Sequence, residues 1–321
     1  MNPPPLLVSF SDAERLLRAL SYRDRDPSLH TSIERLVALG LPPGADAVTI
    51  GTMFGFSTRF VMTMANRPAK HYRQFNIHAG KKTRAISSPK VGLKAIQSWL
   101  GFHLCRAIKL PDCVHGFVPG KSTISAAKLH LGAEWVLSID IRDFFPSTSR
   151  DRVQAALSKL GYPQRGCEIL SRLMTLHGAL PQGSPASPAL ANLCFENVDV
   201  QIAALASDLN ATYTRYADDL VISASGPMPT NLVGSVSDIV VSDGWTIAEE
   251  KTRIKTKPNP LRVHGILVHG RSLRLPKKYR NAVRMMQYAL RRQVVSEDLK
   301  RVYLGHISYA SAVYGGQLGR L

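Results

Sequence analysis

The sequence predicts an α+β protein, and three observations carry that assignment. Apolar residues recur at helical spacing through most of the first 66 residues, in long stretches after residue 149, and again beyond Pro276. A stretch at 71–89, HYRQFNIHAGKKTRAISSP, alternates apolar and polar side chains on both sides of a basic tip, as a hairpin does. Two strand-like runs, AEWVLSID at 133–140 and YTRYADDLVIS at 213–223, place carboxylates at a strand end and at a tight turn.

Taken in order, residues 11–40 read as two helices, with N-cap candidates at Ser11 and Ser28 and a terminating Gly40. Residues 46–66 read as helix, turn at Gly55, helix; the pattern resembles a helix-turn-helix but is so loose that two amphipathic helices packed on a neighbour explain it better than a DNA-reading motif does. After the 71–89 hairpin, Val91, Ile96, Trp99, Leu100 and Leu104 mark a helix, and GKSTISAAKLHLG marks a shorter one. Helices are expected at 149–160, 163–177 and 187–209, the last opening with Ser187-Pro188 as an N-cap and first-turn proline would. A helix near 230–243, strands near 245–255 and 261–275, and two basic helices after Pro276 complete the chain.

Composition bounds the function. The chain has 321 residues, 45% of them hydrophobic, enough for one large core or two moderate ones without disulfide support. Lysine and arginine number 41 against 23 acids, a formal charge of +18, which points to a polyanionic partner. No basic amphipathic segment suggests a membrane, so nucleic acid is the expected partner. Cys105, Cys113, Cys167 and Cys194 lack zinc-site spacing and are expected to be reduced and buried. The N-terminus lacks a signal-peptide pattern and no run is long enough to span a bilayer, so the cytoplasm is the expected location.

Three stretches carry chemistry. In SIDIRDFFPS, Asp140 ends an apolar strand, so its carboxylate emerges from a rigid base; a helix cap would also suit an aspartate there. In YADDL, Asp218 and Asp219 sit side by side where a turn usually takes Asn-Gly, and a solvated turn is the plain alternative. Together the three carboxylates suit Mg²⁺, a hard cation held by one or two carboxylates plus substrate phosphates in two-metal phosphoryl transfer. In LPQGSPASPALANL, glycine, small residues and prolines precede a long helix, either as an ordinary loop or as backbone that approaches a bulky ligand such as a templated base pair.

In that order, the aspartate followed by Phe144-Phe145, then Pro181-Gln182-Gly183, then Tyr-Ala-Asp-Asp in a hairpin, the sequence resembles the reverse transcriptases from about residue 70 to 275, and more loosely to its end. The resemblance implies a right-hand polymerase with an antiparallel palm sheet. It would comprise a helical extension at 1–68, fingers with an insert at 69–132, palm and primer grip at 133–275 and a basic helical thumb at 276–321. It implies that Asp140 and Asp218 bind two Mg²⁺ ions, with Asp219 beside them and the Ile141 carbonyl on the nucleotide's metal. Phe145 stands where the family places its steric gate against a ribose 2′-OH, and Gln182 and Gly183 resemble contacts to the incoming dNTP. Lys81, Lys82 and Arg84 resemble the fingers cluster on the triphosphate, and Lys251 the lysine proposed as proton donor to pyrophosphate.

Within that family the likeness is to the bacterial retron enzymes. VHGFVPGKSTISAAKLHLG resembles their Asn-Ala-x-x-His insert, with Ala126 in place of the asparagine, and VHG at 263–265 resembles their Val-Thr-Gly element, with His264 in place of the threonine. The resemblance implies RNA or primer contacts at His130, Val263, His264 and Gly265. It also implies synthesis of msDNA on a cognate structured noncoding RNA, primed from a guanosine 2′-OH, and antiphage defence with a separate effector protein. Independently, the stretch from Lys251 to Arg301 is rich in Lys and Arg and interrupted by Tyr279 and Tyr288, which suits phosphate tracking and base stacking by residues such as Lys277, Lys278, Arg291 and Arg292. The competing readings are another bacterial reverse transcriptase, of abortive-infection or intron-encoded type, and a catalytically silent RNA-binding scaffold.

Overall fold

The computed structural model describes residues 3–21, 26–79 and 82–316. Twelve α-helices and eight strands follow one another along them. They are α1 (Ala13–Ser21), α2 (Pro27–Ala38), α3 (Ala47–Phe54), α4 (Thr58–Asn66), β1 (Tyr72–Ala79), β2 (Lys82–Pro89), α5 (Val91–Ala107), α6 (Thr123–Leu129), β3 (Trp135–Asp140) and α7 (Arg150–Lys159). There follow α8 (Gln164–Met174), α9 (Ser187–Asp208), β4 (Thr212–Tyr216), β5 (Asp219–Ala224), α10 (Leu232–Ser242), β6 (Arg253–Thr256), β7 (Arg262–Val263), β8 (Ile266–Leu267), α11 (Lys277–Arg291) and α12 (Glu297–Val313). The α+β assignment holds.

Local chemistry explains most boundaries. The side chain of Asp26 accepts a hydrogen bond from the Ser28 amide and Pro27 follows, so Asp26, and not Ser28, caps α2. Likewise the Arg15 amide donates to Asp12 Oδ1 at 2.8 Å, which moves the first cap from Ser11 to Asp12. Aspartate accepts these hydrogen bonds with a full charge at the positive end of the helix. Gly40 and Gly55 both adopt φ of 68° and end their helices as expected. The strands expected at 245–255 and 261–275 are shorter: Glu249–Lys251 is a 3-10 turn before β6, and only two-residue strands flank His264-Gly265.

The chain forms two compact units, Met1–Pro111 with Arg142–Asn197, and Asp112–Ile141 with Val198–Leu321. In the first, α1 to α5, α7, α8 and the start of α9 surround a core that includes Trp99, whose indole Nε1 donates to the Leu6 carbonyl at 2.8 Å and which meets Phe54 edge-on. The β1–β2 hairpin pairs Tyr72 with Pro89 through to Ala79 with Lys82.

The second unit is built on an antiparallel sheet in the order β4-β5-β3-β6. Val136 and Val221 from the sheet join Val263, Ile266, Val283 and Val313 in one apolar core that includes α11 and α12. Among the described residues no helix is long and apolar enough to cross a membrane. The cysteines form no disulfide among the described residues; Cys167 is buried as expected, while Cys105, Cys113 and Cys194 are only half-buried.

Candidate active site

Strand β3 is central, and buried Val136, Leu137 and Ile139 fix its register between β5 and β6. That register sets Asp140 directly opposite Asp219. Like charges at facing positions repel, so each carboxylate needs a cation. Asp140 Oδ1 accepts a hydrogen bond from Lys251 Nζ, presented by the 3-10 turn before β6. Asp219 Oδ2 takes His264 Nδ1 at 3.1 Å. Two backbone bonds lock the strand ends: the Ile141 amide donates to the Asp218 carbonyl and the Ala248 amide to the Asp140 carbonyl, both at 2.8 Å.

Asp218 completes the group from the turn between β4 and β5. Burial, and then the charge of Asp140, push its carboxyl above the usual carboxylate range. Lys251 moves the opposite way in charge: its hydrogen bond to Asp140 raises its pKa and holds the ammonium protonated. Negative charge is therefore concentrated at this edge beyond what Lys251 offsets. Three carboxylates facing one lysine ammonium fit a hard divalent ion. Among the described residues no group of three or more His, Cys, Asp or Glu side chains already stands in a metal-holding cluster, since Asp140 and Asp219 are turned to Lys251 and His264.

The turn that presents Asp218 depends on residues that the motifs did not single out. Ala217 has φ of 58°, and the Arg215 guanidinium donates to its carbonyl at 3.0 Å. Arg215 is fully buried against Asp199. The sequence shows an arginine one residue before the motif tyrosine, but its burial and its partner, on a helix sixteen residues earlier, come only from the structure.

The remaining expected residues separate into groups. In the first unit, Arg84 is exposed on β2, and Lys82 begins that strand; Lys81 lies outside the described residues. The Ser87 amide donates to the Gln182 carbonyl at 2.7 Å. Gly183 has φ of 112°, and a Cβ there would fall 2.8 Å from both Ile86 Cγ2 and the Ser87 carbonyl, so close approach of β2 itself requires the glycine. Of the Phe pair, Phe144 is buried and meets Phe195 edge-on, whereas Phe145 stays half-exposed.

In the second unit two of the expected contact residues lie inside the protein. His130 is fully buried, its Nδ1 and Nε2 each 2.7 Å from a hydroxyl, Ser223 Oγ and Thr214 Oγ1, and burial pushes its pKa down to about 3. It joins α6 to the sheet. Val263 is also fully buried, in the apolar core, because it alternates with the turn residues. His264 and Gly265, both at positive φ, form the two-residue β7–β8 turn; this conformation aims the His264 ring at Asp219. Lys277, Lys278, Arg291 and Arg292 are exposed on or beside α11, with Arg292 5.5 Å from the Tyr288 ring centre.

Comparison with known proteins completes the picture. Residues 76–306 match the family "Reverse transcriptase (RNA-dependent DNA polymerase)". The chain is 31% identical to the retron Mx65 reverse transcriptase of Myxococcus xanthus, over 97% of this chain and 79% of that protein. It is 33% identical to the retron Mx162 reverse transcriptase of the same organism, over 80% of this chain and 60% of the relative's length. It is also 33% identical to the retron Ec86 reverse transcriptase of Escherichia coli, over 59% of each. A looser structural likeness to apo telomerase from Candida tropicalis has a TM-score of 0.47 at 10% identity, covering 69% of this chain and 61% of that one. With the family match spanning most of the chain and the Mx65 enzyme matched over 79% of its length at 31% identity, the protein belongs to the retron-type reverse transcriptases, a family of RNA-dependent DNA polymerases that generally use divalent metal ions.

Proposed function

We propose that this chain copies a cognate structured noncoding RNA into msDNA, starting from a guanosine 2′-OH of that RNA, in the cytoplasm and as the polymerase of an antiphage system with a separate effector protein. The facing of Asp140 and Asp219, with buried Asp218 on the turn beside them, is the observation that carries the catalytic reading. Asp140, Asp218 and Asp219, with the Ile141 carbonyl, would hold two Mg²⁺ ions. When bound, such ions supply Lewis-acid stabilisation of the attacking and leaving oxygens of phosphoryl transfer.

The chain's own groups act around that centre. Lys251 holds a proton on Nζ beside Asp140 and is available to neutralise the departing pyrophosphate. Arg84, with Lys81 and Lys82, would bind the triphosphate, Gln182 and Gly183 the nucleotide, and half-exposed Phe145 would select against a ribose 2′-OH. Residues 1–68 serve as a helical extension, 69–132 as fingers, 133–275 as palm and 276–321 as thumb. RNA binding draws support from exposed Lys277, Lys278, Arg291 and Arg292, and from a recess of about 630 Å³ in the second unit that Lys128, Arg271, Arg274, Arg280 and Tyr314 line. Arg280 Nε is buried in the described structure without a partner, as suits a group awaiting an anion.

The test is primer-independent synthesis. The purified protein with its co-purifying RNA, dNTPs and Mg²⁺ should yield DNA joined to RNA by a bond that survives heat and urea denaturation but yields to a 2′-5′ debranching enzyme. DNA made only from an added primer would leave polymerase activity standing and remove the self-priming claim.

A further inference from the structure

We propose that Arg215, held by Asp199, is a positioning residue that keeps the Tyr216–Asp219 turn in its strained form and so fixes where Asp218 presents its carboxylate. The proposal rests on the reading of Asp218 as a catalytic ligand. It starts from the backbone. Only two residues, Ala217 and Asp218, connect β4 to β5, and the first has φ of 58°. Hairpins of this length place glycine or asparagine at such a position, because a Cβ crowds the following carbonyl. Alanine holds it only when the surroundings over-determine it.

They do so from three sides. Arg215 Nε and Nη2 donate to the two oxygens of Asp199 at 2.7 and 2.6 Å, which leaves Nη1 to donate to the Ala217 carbonyl at 3.0 Å. Tyr213 Oη donates to the same Asp199 at 2.8 Å and so fixes the carboxylate on α9. Both members of the pair are wholly buried, and buried charges persist only when paired and hydrogen-bonded. From a second side the Gly116 backbone presses on the turn: a Cβ there would lie 2.4 Å from the Ala217 amide nitrogen. From the third, the Ile141 amide holds the Asp218 carbonyl at 2.8 Å.

The choice of arginine follows from this geometry. Well-packed apolar residues often replace a buried ion pair at no loss of stability, so stability alone does not call for one here. No apolar side chain can donate to the Ala217 carbonyl. Lysine cannot reach Asp199 in a two-pronged grip and the turn at the same time, because its charge sits on a single nitrogen.

The experiment uses Arg215→Lys, Ala217→Gly and the double variant, with single-nucleotide extension kinetics and thermal melting of each, and Asp218→Asn as the control. Arg215→Lys should lower kcat about 10- to 100-fold, the cost of misplacing a reacting group by an ångström, with KM for dNTP nearly unchanged. Adding Ala217→Gly should restore most of the loss, because glycine adopts the turn without being held. A purely structural Arg215 predicts no such rescue. If Arg215→Lys does not fold, Tyr213→Phe, which removes one bond from Asp199 and keeps the ring, should show a smaller fall in kcat that Ala217→Gly again restores. Full activity in Arg215→Lys, or a loss that glycine fails to restore in a folded protein, overturns the proposal. Extension by Asp218→Asn at the wild-type rate would instead overturn the site assignment beneath it.

Discussion

Two hairpins, β1–β2 and β4–β5, have the same alternating sequence signature and opposite surroundings. In the first, side chains from Arg73 to His78 are exposed on both faces. In the second, Tyr213 to Arg215 and Leu220 to Ser223 are buried in succession, and even the arginine is enclosed. A hairpin that carries basic residues to a polyphosphate gains from solvent-facing side chains that can follow the ligand. One that carries metal-binding carboxylates gains from a backbone that cannot follow anything. Alternation therefore identifies the hairpin, and what packs around it decides its task.

Substitutions can break or sharpen that contrast. The largest effect belongs to the enclosed hairpin. Asp218→Asn should lower the rate of extension by at least about 10³-fold, roughly 4 kcal/mol of barrier, with RNA binding retained in a filter assay. The same variant should melt no lower than wild type at neutral pH. Because the folded-state pKa of Asp218 is raised, its favourable contribution is present at acid pH and lost as pH rises through that value, so the charge that asparagine removes is a cost to the fold.

Next come the two phenylalanines. Phe144→Ala should cost about 3–5 kcal/mol of stability, as truncating a buried aromatic does, and depress all activities together. Phe145→Val should cost far less stability and instead raise the ratio of ribonucleotide to deoxyribonucleotide kcat/KM; an unchanged ratio would place it outside sugar selection. On the open hairpin, Arg84→Ala should raise KM for dNTP about tenfold with little change in kcat, the mark of uniform binding loss. A fall in kcat alone would show that β1–β2 is as tightly coupled to the chemistry as β4–β5. The smallest effect per residue is expected on α11. Replacing Lys277, Lys278, Arg291 and Arg292 by alanine should make the salt dependence of RNA binding shallower, by up to about 0.7 log units per lost contact.

Much of this was legible in the sequence because it depends on local pattern. Helices followed from apolar spacing and their stops from Gly40 and Gly55, although the caps themselves fell on neighbouring aspartates, and Asp140, Asp218 and Asp219 came together because two strands with strong apolar registers have few ways to pair. What stayed hidden depends on contacts remote in sequence. His130 looked available for RNA until Thr214 and Ser223 were seen to occupy both its nitrogens. Gly183 suggested backbone in close approach to a neighbour, and nothing in the pattern showed that β2 is one such neighbour. His264 stood out only as a departure at a turn, with no hint in the sequence that the departure would face Asp219. The Asp199–Arg215 pair gave no signal at all, since a lone aspartate in a helix and a lone arginine in a strand are ordinary residues.

The sheet order has one more consequence, for the sequence of events as the chain is made. Strand β3 emerges early and lies in the middle of the finished sheet, yet both of its neighbours, β5 and β6, are encoded far downstream. Pairings of such wide separation form late, because loop-closure entropy must be met before they bring any gain. Asp140 therefore waits, without Asp219 or Lys251, until most of the polypeptide has left the ribosome. A chain released before Asp218 would hold Asp140 without either of the carboxylates that the β4–β5 hairpin brings to it.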